Sequence, residues 1–393
     1  MKASPSIMML SWEYPPRLIG GIAPHVYDLS RNLVKLGLEV TVVTCDFPGA
    51  KEREVVEGVN VFRVDSYRFP APDFASWIYM MNVNMQTRAL EIMKSQGLKP
   101  NVIHAHDWLV ATAAIGLKYL LRASLVATIH STEDGRRGGI HSDYNRMIHQ
   151  TEGWLTGEAE KVICCSNFMT DHVAYIFGTS RSKIAVISNG VDPAKFNRPY
   201  DREAFRLSFA VPHEKLILYV GRLVHEKGIN ILVDAMHRIL GRVNAKLVIV
   251  GDGYLKDELL GRVRHQGLGD KVYITGFLDD PTLKLLYKTA DVCVVPSLYE
   301  PFGIVALEAM AADAPLVVSD TGGLSEIVED GVTGLKVPPW DPDALAGAVI
   351  RLLTDKGYSE MLTKNASRRV TEQYDWRGIA EKTAEEYRLL LAR

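Results

Sequence analysis

The sequence predicts an α/β protein built from two open, doubly wound parallel sheets in tandem. Three observations predict it. Short apolar runs bounded by turn residues alternate with amphipathic helical stretches, the pattern of repeated strand–helix–strand units. At 393 residues the chain is too long for one ordinary core, so two domains are expected. The apolar rhythm lapses between residues 189 and 212, where Pro193, Pro199 and Pro212 stand among many charges, and that stretch reads as a linker.

In the first half, residues 6–10 form a buried strand that runs into the turn Ser11-Trp12-Glu13-Tyr14-Pro15-Pro16-Arg17. Gly20-Gly21 then precede a helix with Val26, Leu29, Leu33 and Leu36 at helical spacing, stopped by Gly37. Strands at 40–44 and 59–64 make the opening a βαβ unit, hence a parallel sheet. Residues 69–85, from Phe69 to Met85, are rich in aromatics and methionines and broken early by Pro70 and Pro72. They read as an irregular segment leading into a partly buried helix, with a lid, a dimer contact or peripheral membrane association as sharper alternatives. Strands at 101–106, 124–129, 161–166 and 184–187, with a helix from about Val110, complete a half of six or seven strands. The second half repeats the pattern, with strands at 216–220, 246–250, 272–274, 292–295 and 316–318. A last helix over 377–391 is expected to return to the first domain. The expected division is 1–195, 196–374 and the terminal 375–393.

Composition limits the partners. A formal net charge of −2 argues against non-specific binding to nucleic acid or to an anionic membrane surface. The four cysteines, Cys45, Cys164, Cys165 and Cys293, have neither zinc-site nor disulfide-framework spacing. The opening residues are unlike a secretory signal, and no apolar stretch is long enough to span a bilayer. A cytoplasmic protein is expected, with homo-oligomerisation left open.

Chemistry concentrates at strand ends. After the strand at 292–295, residues 297–308 form a loop and the start of a helix bracketed by two carboxylates, Glu300 and Glu308. Pro301 suits a first helical turn, Gly303 lets a ligand approach the backbone, and the free amides at such a terminus suit a phosphate. The plain alternative is one more strand-to-helix turn. Gly221-Arg222-Leu223-Val224-His225-Glu226-Lys227-Gly228 follows the first strand of the second half. There Arg222 as a fork and Lys227 as a point charge could clamp two phosphates, unless the loop is merely solvated and Glu226–Lys227 a surface pair. Gly20 and Gly21 offer bare amides from the first half. His104-Ala105-His106-Asp107-Trp108 combines imidazole, carboxylate and indole at a strand end, a mixture suited to a sugar. His130 ends another strand. For a metal, His104 and His106 share a strand face but lack a third ligand. Asp341-Pro342-Asp343 reads as an acidic helix N-terminus rather than a metal site. Gly251-Asp252-Gly253 lacks the third glycine of a dinucleotide fingerprint.

Together, EPFGIVALE (Glu300 to Glu308), GRLVHEKG and SNGVD (Ser188 to Asp192) resemble, over essentially the whole chain, the retaining glycosyltransferases of family 4 with the GT-B fold. That fold places two Rossmann-like domains across a cleft. SWEYPP, the Gly-Gly, HAHDW and TIH look most like the short glycogen synthase or α-glucan synthase branch. The resemblance implies that Glu300 contacts the donor sugar and Glu308 the ribose of the nucleotide. It further implies that Arg222 and Lys227 hold the diphosphate with amides near Phe302, Gly303 and Ile304, that Gly20-Gly21 close over it, and that His130 lies near the transferred sugar. Glu13, His106, Asp107 and Trp108 are expected on the acceptor side. The implied substrates are a nucleotide diphosphate glucose, with ADP and UDP both open, and an α-glucan, with no cofactor and no metal. A small sugar, sugar phosphate or lipid acceptor, or a non-catalytic sugar-nucleotide binding module, are the rival readings. Two positions depart from the pattern: Leu18, beside Arg17, where larger bacterial glycogen synthases have lysine, and Asp313, where glycine is usual.

Overall fold

The computed structural model describes residues 5–66 and 70–392. The first residues of the opening segment, and Phe69, lie outside them. Two compact units result: one runs to Asn189 and resumes at Trp376, and the other is Gly190–Asp375.

The first unit begins with β1 (Ser6–Leu10), α1 (Ile22–Lys35), β2 (Glu39–Cys45), β3 (Arg53–Val56), β4 (Val59–Val64) and α2 (Phe74–Gln96). It continues through β5 (Val102–His106), α3 (Ala111–Leu121), β6 (Ser124–Ile129), α4 (Glu133–Arg137), α5 (Asp143–Glu158), β7 (Lys161–Cys164), α6 (Asn167–Phe177) and β8 (Ile184–Val186). The strand order is β3-β4-β2-β1-β5-β6-β7-β8, eight strands rather than six or seven. The extra one, β3, pairs antiparallel with β4 and alternates exposed with half-buried residues, so no apolar run announces it. Ile7, Met9, Val40, Val42, Val102 and Val126 pack against Val26, Leu29 and Leu33 of α1. The methionine- and aromatic-rich stretch becomes α2, capped by the Asp73 carboxylate on the Ser76 amide (2.8 Å) and burying Trp77, Ile78, Met81 and Met85.

The second unit contains α7 (Arg202–Arg206), β9 (Lys215–Val220), α8 (Ile229–Leu240), β10 (Ala245–Val250), α9 (Lys256–His265), β11 (Val272–Gly276) and α10 (Asp280–Thr289). Next come β12 (Val292–Val295), α11 (Ile304–Ala311), β13 (Leu316–Ser319), α12 (Leu324–Ile327), β14 (Leu335–Val337), α13 (Pro342–Thr354) and α14 (Lys356–Gln373). Its sheet is parallel throughout, in the order β11-β10-β9-β12-β13-β14. The stretch read as a linker packs onto this unit instead of hanging free. Phe196 is buried edge-on to Tyr287 (ring centroids 6.2 Å), and Arg206 pairs with Asp291 at 2.6 Å. Prolines and charges there disguised short helical turns, while β14, with three residues, is too short to give a periodic signal. Asp313 takes φ +57° just past α11, a left-handed conformation that glycine adopts freely and aspartate tolerates.

The chain closes with α15 (Trp376–Leu391), whose Trp376, Ile379 and Tyr387 join the core of the first unit. The Tyr387 hydroxyl hydrogen-bonds with His104 Nδ1 at 2.6 Å. Among the described residues no helix is long and apolar enough to cross a membrane.

Candidate functional site

Each sheet reverses its strand order once, between β1 and β5 in the first unit and between β9 and β12 in the second. At such a point consecutive loops diverge and leave a crevice beyond the carboxyl ends of the strands. Arg222, Lys227 and Glu300 lie on those loops in the second unit, and Glu13, Gly20, Gly21 and Asp107 in the first, while His106 ends β5, His130 follows the neighbouring β6 and Glu308 lies within α11.

In the second unit, the loop after β9 carries Arg222 and Lys227 and the loop after β12 carries Glu300. The two loops are stitched together: the Leu298 and Tyr299 amides donate to the Glu226 carbonyl at 2.9 and 3.2 Å. A side chain at Gly228, φ +63°, would place its Cβ 2.0 Å from the Pro296 carbonyl oxygen, so this close approach requires glycine. Across the seam, Lys227 Nζ donates to Glu300 Oε2 at 2.7 Å, and Ser297 Oγ donates to the same oxygen at 2.9 Å. Glu300 is buried. The alternative of a Glu226–Lys227 surface pair is not the one formed: Glu226 lies 3.3 Å from Arg222, whose side chain remains 52% exposed, and Lys227 turns inward to Glu300.

Glu300 precedes α11, and Gly303 caps that helix at φ +113°. A Cβ there would meet Leu324 Cδ2 at 2.5 Å. Phe302 is buried beneath the turn, so the terminus presents backbone, including the first amides of α11, which have no preceding turn to bond. Glu308 lies further along the helix and accepts from the Tyr287 hydroxyl at 2.9 Å. Burial pushes its carboxyl up to about 6, with the tyrosine hydrogen bond opposing. Sequence reasoning missed Ser297, Tyr287 and the Thr321-Gly322-Gly323 turn, whose Gly323 amide donates to the Glu300 carbonyl at 2.8 Å. A Gly-Gly just past a strand was the available signal for the last.

In the first unit, Glu13 is buried, and its Oε2 accepts from the Ile19 and Gly20 amides at 2.6 and 2.9 Å. It braces the exposed Gly20-Gly21 turn. Burial raises its carboxyl, against those amide hydrogen bonds. Arg17 is buried with its guanidinium 5.7 Å from the ring centroids of both Trp12 and Trp77, while Leu18 is exposed. The arginine beside the departed lysine position is thus held by aromatics.

His106, Asp107 and Trp108 are buried as well, at 0, 4 and 7% exposure. Asp107 Oδ1 accepts the backbone N–H of His130 at 2.8 Å, and His106 Nδ1 hydrogen-bonds with His130 Nε2 at 3.2 Å. Through these contacts His106 and Asp107 support His130, which remains partly accessible. Burial pushes Asp107 up to about 6 and His130 down to about 4, and holds His25, His104 and His106 well below the usual imidazole range. The imidazoles are neutral at neutral pH. His25 of α1 meets His130 edge-on at 4.7 Å between ring centroids. One nitrogen each from His25, His106 and His130 falls within 4.8 Å of the others. Of the pair His104 and His106, only His106 belongs to this cluster, because the His104 nitrogens hydrogen-bond with the Tyr387 and Thr128 hydroxyls at 2.6 and 2.7 Å. Asp341 caps α13 through the Asp343 and Ala344 amides at 3.0 and 2.9 Å, in keeping with its helix-terminus reading. All four cysteines are buried, and none of them is in a disulfide.

Residues 19–195 match the family described as Glycosyltransferase Family 4, and residues 201–369 match Glycosyl transferases group 1. The chain is 44% identical to an uncharacterised glycosyltransferase of Methanocaldococcus jannaschii, over 98% of each chain. It is 38% identical to a glycogen synthase of Mycobacterium tuberculosis, covering 97% of this chain and 94% of that one. Among solved structures, sucrose-phosphate synthase from Thermosynechococcus elongatus superposes with a TM-score of 0.85 at 28% identity, over 99% of both chains. With two parallel α/β sheets and these relatives, the chain belongs to the group 1 and family 4 glycosyltransferases of GT-B fold, in their glycogen synthase-like branch.

Proposed function

We propose that this glycosyltransferase moves glucose from ADP- or UDP-glucose to the non-reducing end of an α-1,4-glucan, with retention of anomeric configuration. The observation that carries the assignment is the Lys227–Glu300 contact of 2.7 Å. A cation suited to phosphate and a carboxylate suited to sugar hydroxyls meet within one hydrogen bond, the separation expected where a sugar joins its diphosphate. Arg222, Lys227 and the amides at Phe302, Gly303 and Ile304 meet the charge that develops on the departing diphosphate, and this stabilisation needs no metal ion. Glu308 holds the ribose. In the first unit, the turn at Gly20-Gly21, held by Glu13 through the Gly20 amide, supplies the Gly21 amide to the phosphates, and His130 orients the transferred sugar as a neutral hydrogen-bonding group. No covalent nucleophile is assigned; the leaving diphosphate helps to deprotonate the acceptor on the same face. The glycogen synthase relative favours the glucan acceptor over a small sugar, a sugar phosphate or a lipid.

The test is to incubate the protein with UDP-glucose or ADP-glucose, each with glycogen, maltose or no acceptor, and identify the products. Glucan elongation is expected. Donor hydrolysis with no transfer to glycogen or maltose would replace the glucan reading with another acceptor, and neither transfer nor donor hydrolysis would leave a binding module.

A further inference from the structure

We propose that the second unit carries, at the amino ends of its strands, a separate groove that binds a small phosphate monoester. The groove has a volume of about 660 Å³, within the range of small-molecule sites. Lys215 opens β9, Asp291 immediately precedes β12 and Pro315 precedes β13, and all three line it. It therefore lies at the opposite strand ends from Arg222, Lys227 and Glu300. Ala290, Leu352 and Leu353 form a buried floor.

One wall is α14, which contributes two columns at helical spacing. Ser359 and Ser367 present hydroxyls, those of Thr363 and Thr371 donating back to the Ser359 and Ser367 carbonyls at 2.9 and 3.1 Å, and Lys356, Glu360, Lys364 and Arg368 present charge. In a chain of net charge −2, the groove gathers six cations against three carboxylates. Each carboxylate is already matched. Asp291 pairs with Arg206 and Lys215 at 2.6 and 3.5 Å, Asp313 lies 3.9 Å from Lys288, and Glu360 lies 3.6 Å from Lys356. Among the described residues, Arg202, Lys364 and Arg368 form no ion pair.

A surplus of positive charge beside the Ser359 and Ser367 hydroxyls matches a dianion rich in acceptor oxygens, which arginine and lysine bind through charge-assisted hydrogen bonds. The lining contains no aromatic side chain, so it lacks the stacking surface on which a glucan ring would rest. Asp313, the departure from glycine, belongs to this rim and moderates its charge through Lys288.

Isothermal titration calorimetry of the full chain with fructose 1,6-bisphosphate as probe, the donor site filled by saturating UDP and ADP, tests the groove. Binding should persist under the nucleotides and in Lys227→Ala, and should weaken about ten-fold or more in Lys364→Gln/Arg368→Gln. Those two side chains are exposed, so an unchanged melting temperature of the double variant serves as the folding control. Glu360→Gln should strengthen binding, since it removes a repelling carboxylate. Absence of binding, competition by the nucleotides, loss in Lys227→Ala, or indifference to both groove variants would each overturn the proposal.

Discussion

The carboxyl ends of the central strands in the two sheets share a topology and differ in chemistry. Beyond β5 and β6 of the first unit, imidazoles and a carboxyl are packed in a dry cluster, where burial holds His130 down to about 4 and Asp107 up to about 6. Beyond β9 and β12 of the second, full charges meet: Lys227 on Glu300 at 2.7 Å, and a half-exposed Arg222 on Glu226 at 3.3 Å. Topology makes a crevice in each sheet, but burial decides what can occupy it. Neutral imidazoles can exchange hydrogen bonds with sugar hydroxyls at little electrostatic cost, whereas a charged pair is suited to a diphosphate.

The contrast breaks first at Lys227. Lys227→Ala should lower kcat/KM by about 10³-fold, the scale of a lost charge-stabilising donor, with an unchanged circular dichroism spectrum. Near-normal turnover would remove Lys227 from the diphosphate grip. His130→Ala should cut kcat by about 10²-fold while leaving the Kd for free UDP or ADP unchanged. If nucleotide affinity fell with it, the division of labour between the neutral and charged clusters would be wrong. Glu308→Gln should weaken nucleotide binding by about ten-fold, as expected for a hydrogen bond to a charged acceptor. In the unmodified protein, that affinity should decline as pH falls through about 6, where the Glu308 carboxyl takes up its proton. The smallest effect concerns His130 alone. Its folded value, about 4, lies below the usual imidazole value of about 6.5, so the unfolded chain protonates first as pH falls. The contribution of His130 to stability is therefore present above about 6.5 and lost towards about 4. A His130→Gln variant should show a shallower acid decline in urea-unfolding free energy over that window; an identical slope would mean that His130 is not buried as described.

Both sheets were legible because parallel strands covered on two faces read as continuous apolar runs. The residues at 6–10, 59–64 and 124–129 coincide with β1, β4 and β6. What escaped was short or polar, namely β3 on the edge, β14 with three residues, and the turns hidden among prolines after Asn189. Charged candidates were visible as residue types, but their partners were not. Nothing local distinguishes a Lys227 that pairs with its neighbour Glu226 from one that reaches Glu300, because the choice is made by the close packing of Gly228 on Pro296. Likewise Glu13, His106 and Asp107 read as ligands because they are polar residues at strand ends. Only tertiary structure reveals that their hydrogen bonds go to Gly20 and His130.

The most direct test of the central claim is proton NMR of the unmodified protein turning over UDP-glucose or ADP-glucose with maltotriose, in buffer containing EDTA. The account predicts an oligosaccharide longer by one α-1,4-linked glucose, appearing in step with free nucleotide diphosphate and undiminished by the chelator. A β-linked product, free glucose without elongation, or activity that EDTA abolishes and Mg²⁺ restores would contradict it.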